Sequence, residues 1–130
     1  MIKKNMDETK IGFVSHNGGQ SLKKLDINNY EFSVVIKEIH LNSGKTAHGG
    51  FLSTIADTGM GAAAVHLLTE DKKCVTISLE IKFITAAFLN QKLTGKIKIQ
   101  KKTKSLIFIT CEISNLEDIV VTASGVWKIL

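Results

Sequence analysis

From Leu22 to Asn42 apolar and polar residues alternate, most clearly where Tyr30, Phe32, Val34 and Ile36 interleave with Glu31, Ser33 and Lys37. A period of two marks a half-buried strand. A shorter strand is expected just before it, near Leu22–Ile27, after the turn signal Asn17-Gly18-Gly19. The pattern then changes. Residues 49–68, GGFLSTIADTGMGAAAVHLL, are apolar or small with few breaks and end at the polar run Thr69 to Lys73. This predicts one helix of roughly 20 residues, ~30 Å long. It is apolar on nearly every side, which predicts a buried helix rather than a surface one.

Strand periodicity resumes from Cys74 to Ala87, with Val75, Ile77, Leu79, Ile81 and Phe83 expected on one side and Thr76, Ser78, Glu80 and Lys82 on the other. Lys92–Lys101 repeats it through Leu93, Gly95, Ile97 and Ile99. The cluster Lys101-Lys102-Thr103-Lys104 reads as a turn. Ser105–Ser114 and Ile119–Ile129 complete a meander, joined by Asn115 to Asp118. Residues 1–10 read as a frayed or helical lead-in, and no internal repeat appears. One apolar helix and an antiparallel sheet large enough to cover it predict an α+β fold wrapped around that helix. The division expected is a lead-in over residues 1–19 and a single domain over 20–130.

Length and composition narrow the class. A chain of 130 residues with 44% hydrophobic and 22% charged residues fits one globular domain and excludes a disordered chain. Two cysteines, Cys74 and Cys111, are too few for a disulfide scaffold or a four-thiolate zinc site, and each is expected as a small core residue in a reducing compartment. The amino terminus, MIKKNMDETK, carries no apolar signal segment, so a cytoplasmic location is expected. The net charge is +5, yet all 17 basic residues are lysine. Without arginine, the usual bidentate reader of guanine, no nucleic-acid partner is expected.

Two features of residues 49–68 are decoys. The stretch has about the length of a membrane span, but Asp57 in its middle would cost ~3 kcal/mol at a bilayer centre. No membrane partner is expected. Gly59-Met60-Gly61-Ala62-Ala63-Ala64 matches a loose dinucleotide fingerprint, but the glycines sit inside a helical run with no βαβ unit around them. Small residues there are expected to let a strand or a second helix approach closely.

Asp57 is the informative residue, being the only acid between Glu38 and Glu70. A carboxylate in a buried helix needs partners or a raised pKa. His48-Gly49-Gly50 stands at the expected helix start, where free amides and the positive end of the dipole can polarise a carbonyl. Gly49 and Asp57 are eight residues apart, ~12 Å along one helix, too far to meet on one small reacting group. They could meet if two chains paired with their helices antiparallel, so an active site here is expected to be shared between subunits and to occur twice per dimer.

The runs HLNSGKTAHGGFLSTIADTGMGAA, VTISLEIKFITAA and VVTASGVWKI together resemble the hotdog-fold acyl-CoA thioesterases of the phenylacetate-pathway (PaaI-like) type over about residues 20–130. The combination of Asn42, His48-Gly49-Gly50 and Asp57 at this spacing, followed by a TxxLxxxF strand, carries the resemblance. It implies a hotdog fold, dimers made by joining sheets and often paired again into tetramers, and sites between subunits. It implies hydrolysis of an acyl-CoA thioester to a carboxylic acid and CoA, with no cofactor beyond the substrate's own CoA.

By the same resemblance Asp57 is the catalytic carboxylate, as general base or as nucleophile. Gly49 supplies the backbone donor to the thioester carbonyl, and Asn42 lies close by on the same oxygen or the water. His48 helps position or protonate the leaving sulfur, and Thr76 orients the water. Gly50 adjoins the substrate, and Phe83 lines the pantetheine or acyl channel. Lys101, Lys102, Lys104, Ser105 and Leu106 match the segment lying along CoA. Two departures bear on pocket shape: Thr85-Ala86-Ala87 stands where the family often has a proline, and Thr103 replaces a usual glycine. No metal is implied, because His16, His40, His48 and His66 offer no convincing ligand set. The alternatives are a non-catalytic acyl-CoA-binding regulatory hotdog module and a hotdog acyl-thioester dehydratase or hydratase.

Overall fold

The computed structural model describes residues 12–130; the expected lead-in over residues 1–10 lies outside the described residues. A one-turn helix α1 (Phe13–His16) and the Asn17-Gly18-Gly19 turn lead into strands β1 (Ser21–Lys24) and β2 (Asn29–Val35). Both turn glycines have positive φ, 99° at Gly18 and 78° at Gly19, which only glycine adopts at little cost. A 3₁₀ turn (Glu38–His40) follows, then the long helix α2 (Gly49–His66) and strands β3 (Cys74–Phe83), β4 (Lys92–Lys102), β5 (Leu106–Ser114) and β6 (Ile119–Ile129). All six strands form one antiparallel sheet in the order β1-β2-β4-β5-β6-β3.

The long alternating stretch expected from Leu22 to Asn42 is two strands ending at Val35. Ile36 is fully buried beyond the end of β2, where its amide and carbonyl bond Gln91 and Asn90. The inward residues of the sheet, among them Phe32, Leu93, Ile97, Ile109, Ile113 and Trp127, close over α2 as the core.

Helix α2 is not buried all round. Phe51, Leu52, Ile55, Ala56, Gly59, Met60, Ala63 and Ala64 are buried, but Ser53, Thr54, Asp57, Thr58, Gly61 and Ala62 are half-exposed, and Val65 is exposed. These two sets are the two sides of a 3.6-residue period. Hydropathy missed the split because the open stripe is made of small residues, and its Ser53 and Thr54 hydroxyls fold back onto the Gly49 and Gly50 carbonyls.

The glycines of the false fingerprint act in packing. A Cβ on Gly59 would lie 2.6 Å from the ring of Phe32 on β2, and one on Gly61 3.3 Å from Trp127 Nε1. They mark where the sheet approaches the helix, not a nucleotide.

Strand β3 departs most from expectation. Among the described residues it forms one edge of the sheet and pairs only with β6. It ends at Phe83 instead of Ala87, and a register shift between Thr76 and Ser78 breaks its alternation. Thr76 pairs with buried Trp127, and Leu79, Ile81 and Phe83 pair with Gly125, Ala123 and Val121, so these four share the helix-facing side. Val75, paired with Lys128, lies on the other side. Val75, Ile77, Leu79 and Phe83 are all exposed, and Cys74 is half-buried rather than a core residue. Cys111 is in the core as expected.

Candidate active site

The site residues fall into two groups at opposite ends of β3. The first gathers at the start of α2. His48 is the N-cap in extended conformation, and its Nδ1 accepts the Gly50 amide at 2.8 Å. A neutral imidazole that accepts at Nδ1 carries its proton on Nε2, so His48 presents an N–H outward. Gly50 is thus engaged with His48. The amide of Gly49, the first helical residue, has no carbonyl one turn behind it to bond. A Cβ on Gly49 would lie 3.3 Å from Phe83 Cζ, which places the Phe83 ring against Gly49. A cavity of about 260 Å³ opens beside Gly49, bounded by Phe83, Leu52, Thr46 and residues 84–87.

The loop before the helix is braced on both sides. The Asn42 side-chain amide donates to Thr46 Oγ1 at 3.0 Å, and its carbonyl oxygen accepts the Thr46 amide at 3.1 Å. One amide hydrogen of Asn42 still remains for another acceptor. Ala47 donates to the Ala87 carbonyl, and Thr46 bridges to Phe88, so the segment after β3 is tied to the loop. Lys45 holds a φ of 63° at the tip.

The second group lies at the middle of α2 and the start of β3. Thr76 Oγ1 donates to Asp57 Oδ1 at 2.8 Å. The partner expected for the carboxylate is therefore a strand hydroxyl, and Asp57 is half-buried on the open stripe rather than enclosed in the core. The β3 bulge is what turns Thr76 toward the helix.

The lysine turn belongs to this second end. Lys101 and Lys102 are the last residues of β4, displaced by a bulge after Ile99, and are not turn residues as the sequence predicts. Lys104 and Ser105 form the turn, and Leu106 begins β5. Leu106 pairs with Lys128, which pairs with Val75, so the turn sits beside the first residues of β3. Phe83 is nine residues further along the strand, roughly 30 Å away. One chain thus brings Asp57 and Thr76 together near the lysine turn, and Asn42, His48, Gly49, Gly50 and Phe83 together at the far end. It does not bring the two groups to each other.

Sequence reading weighed His40 only as a metal ligand; it is 3% exposed, stacks on Phe51 and accepts the His48 amide with its carbonyl. Its place two residues before Asn42 was visible, but no spacing rule marked it. Among the described residues no His, Cys, Asp and Glu cluster could hold a metal ion, and no helix is long and apolar enough to cross a membrane.

A family model for the thioesterase superfamily matches residues 44–122. The Pseudomonas aeruginosa protein named "Putative esterase PA0474" is 34% identical over 94 residues, 72% of this chain and 70% of that one. A hypothetical thioesterase of Streptococcus pneumoniae TIGR4, crystallised with coenzyme A, superposes with a TM-score of 0.78 at 22% identity, covering 85% of each chain. The PaaI protein of the Escherichia coli phenylacetic acid degradation operon superposes with a TM-score of 0.78 at 20% identity, covering 85% of this chain and 79% of that one. The shape they share is the hotdog arrangement of one long helix wrapped by an antiparallel sheet. With a family match over more than half of its length and a third of its aligned residues identical to the Pseudomonas aeruginosa protein, this chain belongs to the thioesterase superfamily.

Proposed function

We propose that the protein is an acyl-CoA thioesterase whose two sites are each built by two copies of the chain. The observation that carries this is the split site beside an unpaired apolar edge. Strand β3 exposes Val75, Ile77, Leu79 and Phe83 on an edge with free backbone donors and acceptors, a template for another strand. Antiparallel pairing of two β3 edges sets the Phe83 end of one chain against the Cys74 end of its partner. It brings Gly49, His48 and Phe83 of one chain to the partner's Asp57, the partner's Thr76 and the partner's Lys104.

The chemistry follows from these groups. Thr76 donates to Asp57 and can accept a hydrogen from water with either of its lone pairs, which holds the water against the carboxylate. Asp57 takes the water proton as the oxygen attacks the thioester carbonyl. The negative charge on the former carbonyl oxygen is met by the Gly49 amide at the positive end of α2. The C–S bond then breaks, and the CoA sulfur leaves with the proton that Asp57 took from water, while the Nε2–H of His48 donates a hydrogen bond to it. Lys101, Lys102 and Lys104 supply positive charge for the nucleotide phosphates. The binding of coenzyme A by the pneumococcal structure supports the CoA reading.

The test is thiol release from a panel of aromatic, medium-chain and hydroxylated acyl-CoAs. Wild-type turnover that falls about 10²–10⁴-fold in Asp57→Asn supports the reading. Tight acyl-CoA binding without release overturns it in favour of a regulatory module.

A further inference from the structure

Among the described residues His40 and Gln20 are the two buried polar side chains, each 3% exposed, and the reaction above does not use His40. Every part of it is engaged. The Lys37 amide donates to its Nδ1 at 2.9 Å, which leaves the proton on Nε2. Nε2 then donates to the Asn17 carbonyl at 2.8 Å. The ring stacks on Phe51 with centroids 3.7 Å apart and planes 8° from parallel. Its backbone carbonyl accepts the His48 amide at 2.8 Å.

Two of these contacts flank the Gly49 amide. His48 immediately precedes Gly49, and Phe51 lies two residues after it. The first turn of α2 is thereby held from both sides of the Gly49 amide, while the ring nitrogens tie that hold to the Asn17 turn and to Lys37. A residue that merely filled space would need the stack and no more. The loop carrying Asn42 also starts at His40, so both expected oxygen-binding groups hang from the same residue. We propose that His40 is a positioning residue for thioester hydrolysis, fixing the Gly49 amide on the substrate carbonyl without touching substrate. The proposal rests on Gly49 being that donor. It also gives the Asn17 turn, which the sequence reading set outside the domain, a part in supporting the site.

His40→Phe keeps a ring on Phe51 and removes both ring hydrogen bonds, leaving the Lys37 amide and the Asn17 carbonyl without this partner. His40→Gln can restore the bond to Asn17. Phe51→Leu removes the stack and leaves His40 in place, and it serves if the first variant does not fold. Measured well below each variant's Tm, kcat is expected to fall about ten- to a hundredfold in His40→Phe and in Phe51→Leu. KM is expected to change far less, and His40→Gln to recover part of kcat.

A second readout needs no substrate. Hydrogen exchange at the Gly50 and Leu52 amides, which bond His48, is expected to speed up in His40→Phe while β5 amides keep their protection. Folded variants with a lowered Tm but wild-type kcat, KM and exchange at Gly50 and Leu52 would make His40 a packing residue and overturn the proposal. If the wild-type protein releases no thiol, the thioesterase reading fails on its own, and exchange alone decides whether His40 fixes the helix start.

Discussion

At the scale of single residues, the site offers a substitution that removes one donor and little else. Gly49 is the first residue of α2, where proline is tolerated because the missing N–H has no partner in the helix. The preceding His48 sits at φ −64° and ψ 136°, the region that a following proline requires. The nearest neighbour of an added Cβ is the Phe83 ring at 3.3 Å. Gly49→Pro is therefore expected to fold with a nearly unchanged Tm while kcat falls about 10²–10³-fold, the worth of one oxyanion donor. Retained turnover in a folded variant would move the carbonyl elsewhere. Thr76→Val, which keeps shape and loses the hydroxyl, is expected to cost about tenfold in kcat, since water remains near Asp57.

The cysteines separate in the same way by environment. Burial, with the Glu112 charge adding to it, pushes the Cys111 thiol up to about 12, and burial raises Cys74 by less. A thiol harder to ionise in the folded state stabilises the fold below its ordinary unfolded value, and this contribution is lost as pH climbs toward 12. Alkylation of the native protein at pH 8 is expected to modify Cys74 and spare Cys111, as peptide mass mapping would show. Asp57, His48 and Gly49 stood out in the sequence because their residue types and spacing carry chemistry. Thr76 was ambiguous, since a β-branched hydroxyl on a strand fits either side until the bulge decides which way it faces.

At the scale of elements, periodicity located α2 and the four later strands to within a few residues. It failed on how each element is covered. Small residues hid the open stripe of α2, and the apolar residues of β3 read as core although its edge is free. Hydropathy cannot tell a surface that meets the protein's own core from one that meets a second copy. The glycines behave differently from one another for reasons of packing. Gly59→Ala gains helix propensity worth up to ~1 kcal/mol, but its methyl would sit 2.6 Å from the rigid Phe32 ring. The overpacking cost of about 1–3 kcal/mol wins, and a lowered Tm is expected. For β3, Ile77→Lys places a charge on the exposed edge. We expect sedimentation to find monomers with an unchanged circular dichroism spectrum and with thiol release lost in parallel. An active monomer would separate the edge from the site.

For the whole molecule, the two surfaces of the sheet differ in what they can meet. Away from the helix, Lys23, Glu31, Lys96 and Glu112 are successive neighbours across β1, β2, β4 and β5. Alternating charges of this kind stabilise neighbouring strands and keep the face in water. The β3 edge and the open stripe of α2 are instead apolar or small, and they carry Asp57 and Thr76. The proposed site takes its acid from one chain and its helix-tip amide from the other. Mixing Asp57→Asn and Gly49→Pro subunits, each inactive alone, tests this directly. Random pairing makes half of the dimers hybrid, and each hybrid has one site with neither substitution, so thiol release is expected to recover to roughly a quarter of the wild-type rate. A mixture that exchanges subunits yet stays as inactive as its components would contradict the claim.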